Sequence, residues 1–526
     1  MKHLIEKISL RNCKAEVNFL SPKTQAQELD TAPVESKTHS RVVHAFRSFW
    51  DRSFERIKLT TANENWSEIG FVIAVIFALT AVGMFIRVYL SYTIRDTYGF
   101  SSDIIWNRYV PFNIGVQFRG FSDFRYYYVS WITAWFENDW YPYQAIPPFE
   151  SNPLNSYSYP PLFLYFLISV WRPGMTEFWM AFPMILADAA CAGVVYLILK
   201  NIIKNEHANG IALFGGFLMA VAPINIIYDG IYWLNPGPVT LITLIAFYFA
   251  TKSKWWQAFF WLALATLTKQ NALFFTYPMF MAMLGEKIRK KKVQEAIIES
   301  IMNALIFVFI ILLLSVPWIF MSPYQYVRHL LFPGKQIEIT NVPYIDHVGN
   351  DCVSFPWSLL TLGFPDWIVG FASFGTYSMF FMILSSSIIS VFMMWRSYNK
   401  KSDGIEFYEW IAIYMVFTHI FMPRGVYKFY TAYFVPVILI ALLGSLTNLM
   451  SKKSLLPISL IISATLFLGF NFWLLVIGRL FVPFFLFMTT VVIGFFAMIR
   501  GYLRDRMEVP KTKNSIQKYF EGPLGS

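Results

Sequence analysis

Runs of about 20 apolar residues recur along this chain, and that recurrence leaves few folds open to it. In hydrocarbon every backbone polar group needs a partner inside the protein. A spanning segment is therefore a helix or part of a closed barrel. A barrel would show short alternating segments, and the sequence has none. The expectation is an all-α polytopic membrane protein. Composition agrees: 56% of the 526 residues are hydrophobic and 14% are charged, and the mean hydropathy is +0.47. Twelve spans fit, at roughly 70–92, 177–200, 210–228, 234–251, 255–268, 270–285, 298–320, 367–395, 405–422, 429–449, 455–476 and 478–500. SYPPLFLYFLISVW (158–171) is apolar but short, and prolines break its start. It is read as an interfacial or re-entrant helix, because a span there would invert everything after it.

The formal net charge is +11. Its basic clusters are the N-terminal arm, Lys200/Lys204, Lys252/Lys254, KIRKKK (287–292), Arg396 with Lys400/Lys401, Lys452/Lys453 and the tail from Arg500. All fall on one side if the first span runs outward. The positive-inside rule makes that side cytoplasmic and puts both termini there. The charge then needs no nucleic-acid partner. Cys13, Cys191 and Cys352 fall on the cytoplasmic side, within a span and on the outer side. That distribution gives no disulfide framework, and no Cys/His spacing suits a metal.

The expected organisation is a basic cytoplasmic arm (1–69) without a cleavable signal, then a membrane module (70–320) with a long outer loop (93–176). A second outer loop (321–366), C-terminal membrane helices (367–500) and a cytoplasmic tail (501–526) follow, and EGPLGS at the end reads as a cloning remnant.

The outer side carries FSDFRYYYVSWITAWFENDWYPY (121–143) and the short turns YDGIYW (228–233), TKQN (268–271) and MPRGVYK (422–428). Over 121–137 a helical wheel puts Phe124, Tyr128, Trp131 and Trp135 on one stripe, as in a helix lying on a membrane surface. Ser122 suits its N-cap, and Asp123 falls in the first turn, where the helix dipole favours a carboxylate. Ionisable groups at the ends of apolar helices are costly without partners or water. Several on one face suggest a single polar cavity.

SDFRYYYVSWITAWFENDWYPY and the later SYPPLFLYFL resemble the first outer loop of the GT-C glycosyltransferases. Its pattern is an Asp beside aromatics, a Pro-Tyr and a Tyr-Pro-Pro-Leu, here Asp123, Pro142-Tyr143 and Tyr159-Pro160-Pro161-Leu162. FPMILADAACAGVVYLILK (182–200), APINIIYDGIYWLNPGPVTLITLIAFYFA (222–250), LTKQNALFFTYP (267–278) and MPRGVYKFYTAYFVP (422–436) are similar to later family segments, in the same order. Many relatives carry Gly-Gln-x-Asp or Asp-His where this chain has Asp229-Gly230-Ile231-Tyr232-Trp233.

The resemblance implies a multi-pass enzyme that moves one sugar, mannose or another hexose, from a polyprenyl-phosphate carrier to a hydroxyl of a lipid or glycan acceptor. A bacterial or archaeal plasma membrane is favoured over the endoplasmic reticulum. Asp123 is then the catalytic base. Arg424 and Lys428 are donor-phosphate ligands, and so is Lys269 unless it marks a helix end. Arg125 is either a phosphate ligand or the ion-pair partner of Asp123. Asp188, Asp229, Tyr232, Gln270 and Tyr159 are candidate substrate contacts. Asp188, about mid-span, either stabilises a positive group in the cavity or bonds a neighbouring helix. His419 is read as a hydrogen-bonded packing residue. Asp346, His347 and Asp351 can bind acceptor or a divalent ion, or form a solvated loop; no cofactor is firmly implied. Rival readings are a transporter or lipid flippase and a polysaccharide polymerase or ligase. A transporter too has a polar cavity among many spans, but no internal repeat supports one; a polymerase or ligase also uses outer-face arginines, and the first-loop Asp with Tyr-Pro-Pro-Leu favours transfer of one sugar.

The topology is testable by labelling. With the native cysteines changed to serine, a cysteine at position 204 (Lys204→Cys) should react with an impermeant thiol reagent only from the cytoplasm. Labelling from outside would mean that 158–171 crosses.

Overall fold

The computed structural model describes residues 66–98, 124–137, 141–143, 157, 159–175, 177–331, 352–399, 403–422, 425–449, 455–476, 483, 486–495, 497 and 499. The chain divides into two units, 1–69 and 70–526. Of the first, only 66–69 are described, as the opening turn of a helix.

The described elements in chain order are α1 Trp66–Tyr98, a loosely wound turn Phe124–Val129 running into α2 Ser130–Glu137, α3 Pro161–Ile168, α4 Glu177–Ile202 and α5 Ala208–Ala220. Two short turns, Pro223–Asn225 and Ile226–Ile231, lead into α6 Pro236–Thr251 and α7 Trp255–Thr268. A tight turn Gln270–Phe275 opens α8 Thr276–Lys290, and α9 Val293–Met321 and α10 Pro323–Leu331 follow. Then come α11 Phe355–Thr361, α12 Asp366–Tyr377, α13 Phe380–Asn399, α14 Gly404–Ile420, α15 Thr431–Leu449 and α16 Leu456–Val476. Among the described residues the one strand pairing is two residues long, Cys352–Val353 antiparallel to Val426–Tyr427.

Among the described residues seven helices are long and apolar enough to cross a membrane: Glu68–Ser91, Glu177–Ile202, Ala208–Ile231, Val293–Met321, Phe380–Asn399, Thr431–Leu449 and Leu456–Leu475. The chain is therefore an α-helical multi-pass membrane protein. Other expected spans are shorter helices: α6, α7 and α14 have 16, 14 and 17 residues. The 270–285 segment winds tightly before becoming α8, and only Leu486–Phe495 of the last is a continuous described helix. α3, with 8 residues, is about 12 Å long and cannot cross.

The expected span 367–395 is two helices rather than one. Ser378 ends α12 and starts α13: its Oγ donates to Phe374 O at 2.6 Å and accepts from the Phe380 amide at 3.4 Å. Met379 then turns the chain at φ 60°, a conformation that side chains rarely adopt. A serine offers the backbone alternatives to a continued helix, and hydropathy does not register them.

α1 turns Phe71, Ile73, Phe77 and Phe85 outward while Arg87 and Ser91 are buried. That is the pattern of a helix at the lipid boundary with a polar edge facing its neighbours. α15, by contrast, is buried along almost its whole length. It contacts α4, α5, α6, α14 and α16. The expected stripe on 124–137 exists, but it faces protein. Phe124, Tyr128 and Trp131 are buried among Tyr143, Tyr157, Phe163 and Trp233. Periodicity fixed the face, and the ring edges found aromatic partners rather than lipid: Tyr128 meets Phe163 at 5.2 Å and Trp131 meets Tyr157 at 5.1 Å, both edge-on.

α8 and α13 approach so closely at Gly285 that a Cβ there would stand 2.2 Å from the Met394 carbonyl oxygen. Small residues permit such approaches between membrane helices. Gly285→Ala should destabilise the protein by about 1–3 kcal/mol. Gly210→Ala, with nothing within 4 Å of the added carbon, should not. Thermal unfolding of both variants in the same nanodiscs measures the difference.

Candidate functional site

The site is built on charges placed inside apolar helices. Arg87 of α1 and Asp188 of α4 are both fully buried, with Nε to Oδ2 at 2.5 Å. The Arg87 guanidinium also donates to Gly83 O at 3.0 Å and, through the same nitrogen, to Ala220 O at 2.7 Å. The second bond satisfies a carbonyl that the end of α5 leaves without a helical partner. Asn225 donates to the other Asp188 oxygen at 2.8 Å. One ion pair thus ties α1, α4, the end of α5 and the segment after it.

That segment, 223–237, includes the turn 228–233 of the sequence analysis. It packs directly on the pair. A Cβ on Gly230 would stand 2.9 Å from Arg87 Cγ, and one on Gly237 would stand 2.8 Å from Asp188 Cβ and 2.9 Å from Met184 O. Asp229 is fully buried, and its Oδ1 accepts from the Gly237 amide at 2.9 Å, at the start of α6. A helix N-terminus favours a carboxylate there. Its Oδ2 has no hydrogen-bond partner among the described residues, nor has Asn225 Oδ1 or Arg87 Nη2. The charges of Asp188, Arg87 and Lys269 all act on Asp229. Trp233 holds φ at 60°. Its indole donates to Ser91 Oγ at 2.8 Å, and Phe124 packs edge-on against it at 5.1 Å. Backbone strain of this kind persists only where the surroundings over-determine it.

Lys269 closes the site. It is 3% exposed and donates to Asn235 Oδ1 at 2.9 Å. Four rings surround its ammonium, with centroids at 4.8 Å (Tyr430), 5.1 Å (Tyr433), 5.3 Å (Phe429) and 5.6 Å (Tyr159). Ring faces stabilise a desolvated cation by about 2 kcal/mol or more. Tyr159 is itself placed by the first-loop motif. The Tyr143 hydroxyl donates to Tyr159 O at 3.2 Å and the Tyr157 hydroxyl to Pro160 O at 2.9 Å. Burial, more than neighbouring phenols, pushes both phenols well above the ordinary tyrosine range. They stay protonated, as donors.

The structure therefore brings together Asp188, Asp229 and Lys269 with Tyr159, from four segments separated in sequence. Tyr232, 1% exposed, lies on the same turn with its ring 6.1 Å from Tyr228, and Gln270 begins the tight turn after Lys269. For Asp188 the second alternative is seen: it bonds neighbouring segments through Arg87 of α1 and Asn225. Asp123 and Arg424 lie outside the described residues, as do Asp346, His347 and Asp351. Arg125 and Lys428 have described backbones only: Arg125 in the turn Phe124–Val129, Lys428 in Lys428–Tyr430. Their neighbours do reach the site, Phe124 at Trp233 and Phe429 with Tyr430 at Lys269. His419 bonds through Nδ1 to Met415 O at 2.8 Å, the packing contact expected of it. Among the described residues no group of three or more His, Cys, Asp or Glu could hold a metal ion.

Sequence reasoning missed Arg87, Asn225 and Asn235. Arg87 had a signal, a single basic residue inside the apolar run of the first span, where a charge demands a partner. The asparagines had none. Compared with known proteins, the chain matches no protein-family model and no curated protein.

Breaking a buried pair leaves one charge uncompensated, at about 3–5 kcal/mol. Asp188→Leu and Arg87→Met should each lower stability by that order. The double variant should recover much of the loss, as read by unfolding in nanodiscs. Additive losses would mean that the pair does not couple the helices.

Proposed function

We propose that the chain is an integral membrane glycosyltransferase that moves one hexose, such as mannose, from a polyprenyl-phosphate carrier to a hydroxyl of a lipid or glycan acceptor. One observation carries this reading. A buried ammonium, Lys269, is held in an aromatic box on turns that also hold a buried carboxylate, Asp229, with an unpartnered oxygen. The family-like motif Tyr143…Tyr159 builds one wall of that box.

A sugar on a lipid phosphate already carries a good leaving group. Transfer needs positive charge where the phosphate departs and a base for the acceptor's proton. Lys269 supplies the charge, in a water-poor setting that strengthens its pull on phosphate oxygens. Arg424, Lys428 and Arg125 are the further phosphate ligands of this reading, and Asp123 is the base. The acceptor oxygen forms its bond to C1 as the bond from C1 to the phosphate oxygen breaks. The hydroxyl proton passes to the Asp123 carboxylate, and one displacement inverts the anomeric centre. Asp188, Asp229, Tyr232, Gln270 and Tyr159 shape the cavity. The twelve-span topology, with the shorter helices counted as crossings, sets these groups on the outer face of a plasma membrane and both termini in the cytoplasm.

Purified wild type, Lys269→Met and Asp123→Asn, each verified as folded, should be given radiolabelled polyprenyl-phosphate mannose or glucose with membrane lipid and glycan acceptors. Wild type should transfer label, and each variant should lose roughly 10²–10³-fold in rate. Absence of transfer by wild type, together with movement of the carrier across vesicle bilayers, would overturn the enzyme reading in favour of a flippase.

A further inference from the structure

The start of α7, the end of α8 and the start of α9 meet in a cluster of charged side chains. The Trp255 indole of α7 donates to Glu286 Oε2 of α8 at 2.9 Å, and the other Glu286 oxygen takes the Lys290 ammonium. Glu299 of α9 pairs with Lys287 at 3.2 Å and with Lys291. The charges in this cluster do not balance. Six cations, Lys254, Lys287, Arg289, Lys290, Lys291 and Lys292, stand with three carboxylates, Glu286, Glu295 and Glu299. Lys254, Arg289 and Lys292 make no ion pair among the described residues. Lys254 and Lys292 are exposed. Arg289 is half-buried, and its Nε has no hydrogen-bond partner among the described residues.

The neighbouring helix shows at what depth these cations lie. α13 packs on α8 where Gly285 is set against the Met394 carbonyl. One residue beyond that carbonyl, Trp395 is 51% exposed, and Tyr398 is 49% exposed. Indole and phenol rings at span ends sit at the level of lipid headgroups. That level on α8 is its last turn, which carries Arg289. Arg396 is taken up by Glu406 at the start of α14.

α9 supplies an apolar surface below the cations. Ile298, Ile301, Leu305 and Leu312 are exposed, and their helical spacing puts them on one stripe. The stripe starts six residues beyond Lys292, about 9 Å along the helix. A molecule that fits both parts carries negative charge at headgroup depth and long hydrocarbon chains beneath it. We propose that the end of α8 and the start of α9 bind an anionic phospholipid, such as phosphatidylglycerol, from the leaflet that meets the basic clusters. Its phosphate lies at Arg289 and Lys292, and its acyl chains run along the α9 stripe. Basic recesses between the ends of membrane helices suit such headgroups, and a guanidinium matches phosphate oxygens. The site is remote in role from sugar transfer and does not depend on the glycosyltransferase reading.

Full-length protein in mild detergent is titrated with phosphatidylglycerol and, separately, with phosphatidylcholine. Native mass spectrometry gives the Kd of the first lipid bound. Wild type should hold phosphatidylglycerol about 10-fold more tightly, the order expected of two cations at a lipid surface. Arg289→Gln/Lys292→Gln should bring the ratio close to one and leave the affinity for phosphatidylcholine unchanged, which also reports that the variant folds. Lys200→Gln/Lys204→Gln removes the same charge from another basic cluster and should keep the ratio. Millimolar inorganic phosphate should not displace the lipid. Equal affinities in wild type, or a ratio undiminished in Arg289→Gln/Lys292→Gln, would overturn the proposal. An equal loss in both double variants would overturn it in favour of diffuse surface charge, and full displacement by inorganic phosphate in favour of a free-anion site.

Discussion

A guanidinium and a carboxylate buried together among apolar helices are costly to bring there and costly to separate. In this chain the contact between Arg87 and Asp188 sets where other parts can go. The two groups also fasten a carbonyl at the end of α5 and the amide of Asn225, and two glycines press against their side-chain stems. The turn 223–237 is thereby held at both ends, and it delivers Asp229 and Asn235. Lys269, from a different helix pair, meets Asn235. The site is thus a second layer of polar contacts resting on the first.

The architecture was legible because hydrocarbon imposes a simple rule: apolar length means helix. The rule works well for α4, α9, α15 and α16, which lie close to the expected 177–200, 298–320, 429–449 and 455–476. It fails at 367–395, where the break depends on one serine hydroxyl capping two helices. It also could not say where an amphipathic face points. The stripe of Phe124, Tyr128 and Trp131 suits a lipid surface and an aromatic core equally well, and tertiary packing chose the core.

The site was legible in part. Asp188, Asp229 and Lys269 stood out because ionisable groups are scarce in such a sequence, and the structure gathers them. The aromatic box was not foreseeable from residue type: in a chain with 29 Tyr and 53 Phe, nothing marks Tyr159, Phe429, Tyr430 and Tyr433 from the others. Their convergence depends on turns from three segments, and only the fold relates those. The paired motif Pro142-Tyr143 and Tyr159-Pro160 is instructive in this respect. Read along the chain, it is two aromatic-proline fragments; in space, one fragment's hydroxyl holds the other's backbone.

The break at Met379 has a consequence for the surrounding bilayer. α12 has 12 residues, about 18 Å of helix against a hydrocarbon thickness of about 30 Å. Yet Trp367, Phe371 and Phe374 on it are 74%, 60% and 66% exposed among the described residues, an apolar surface of the kind that acyl chains cover in a membrane protein. Lipid beside so short a hydrophobic wall accommodates by local thinning or tilting, a hydrophobic mismatch that long straight spans avoid. A bilayer that meets this flank therefore meets an apolar wall shorter than its own hydrocarbon thickness.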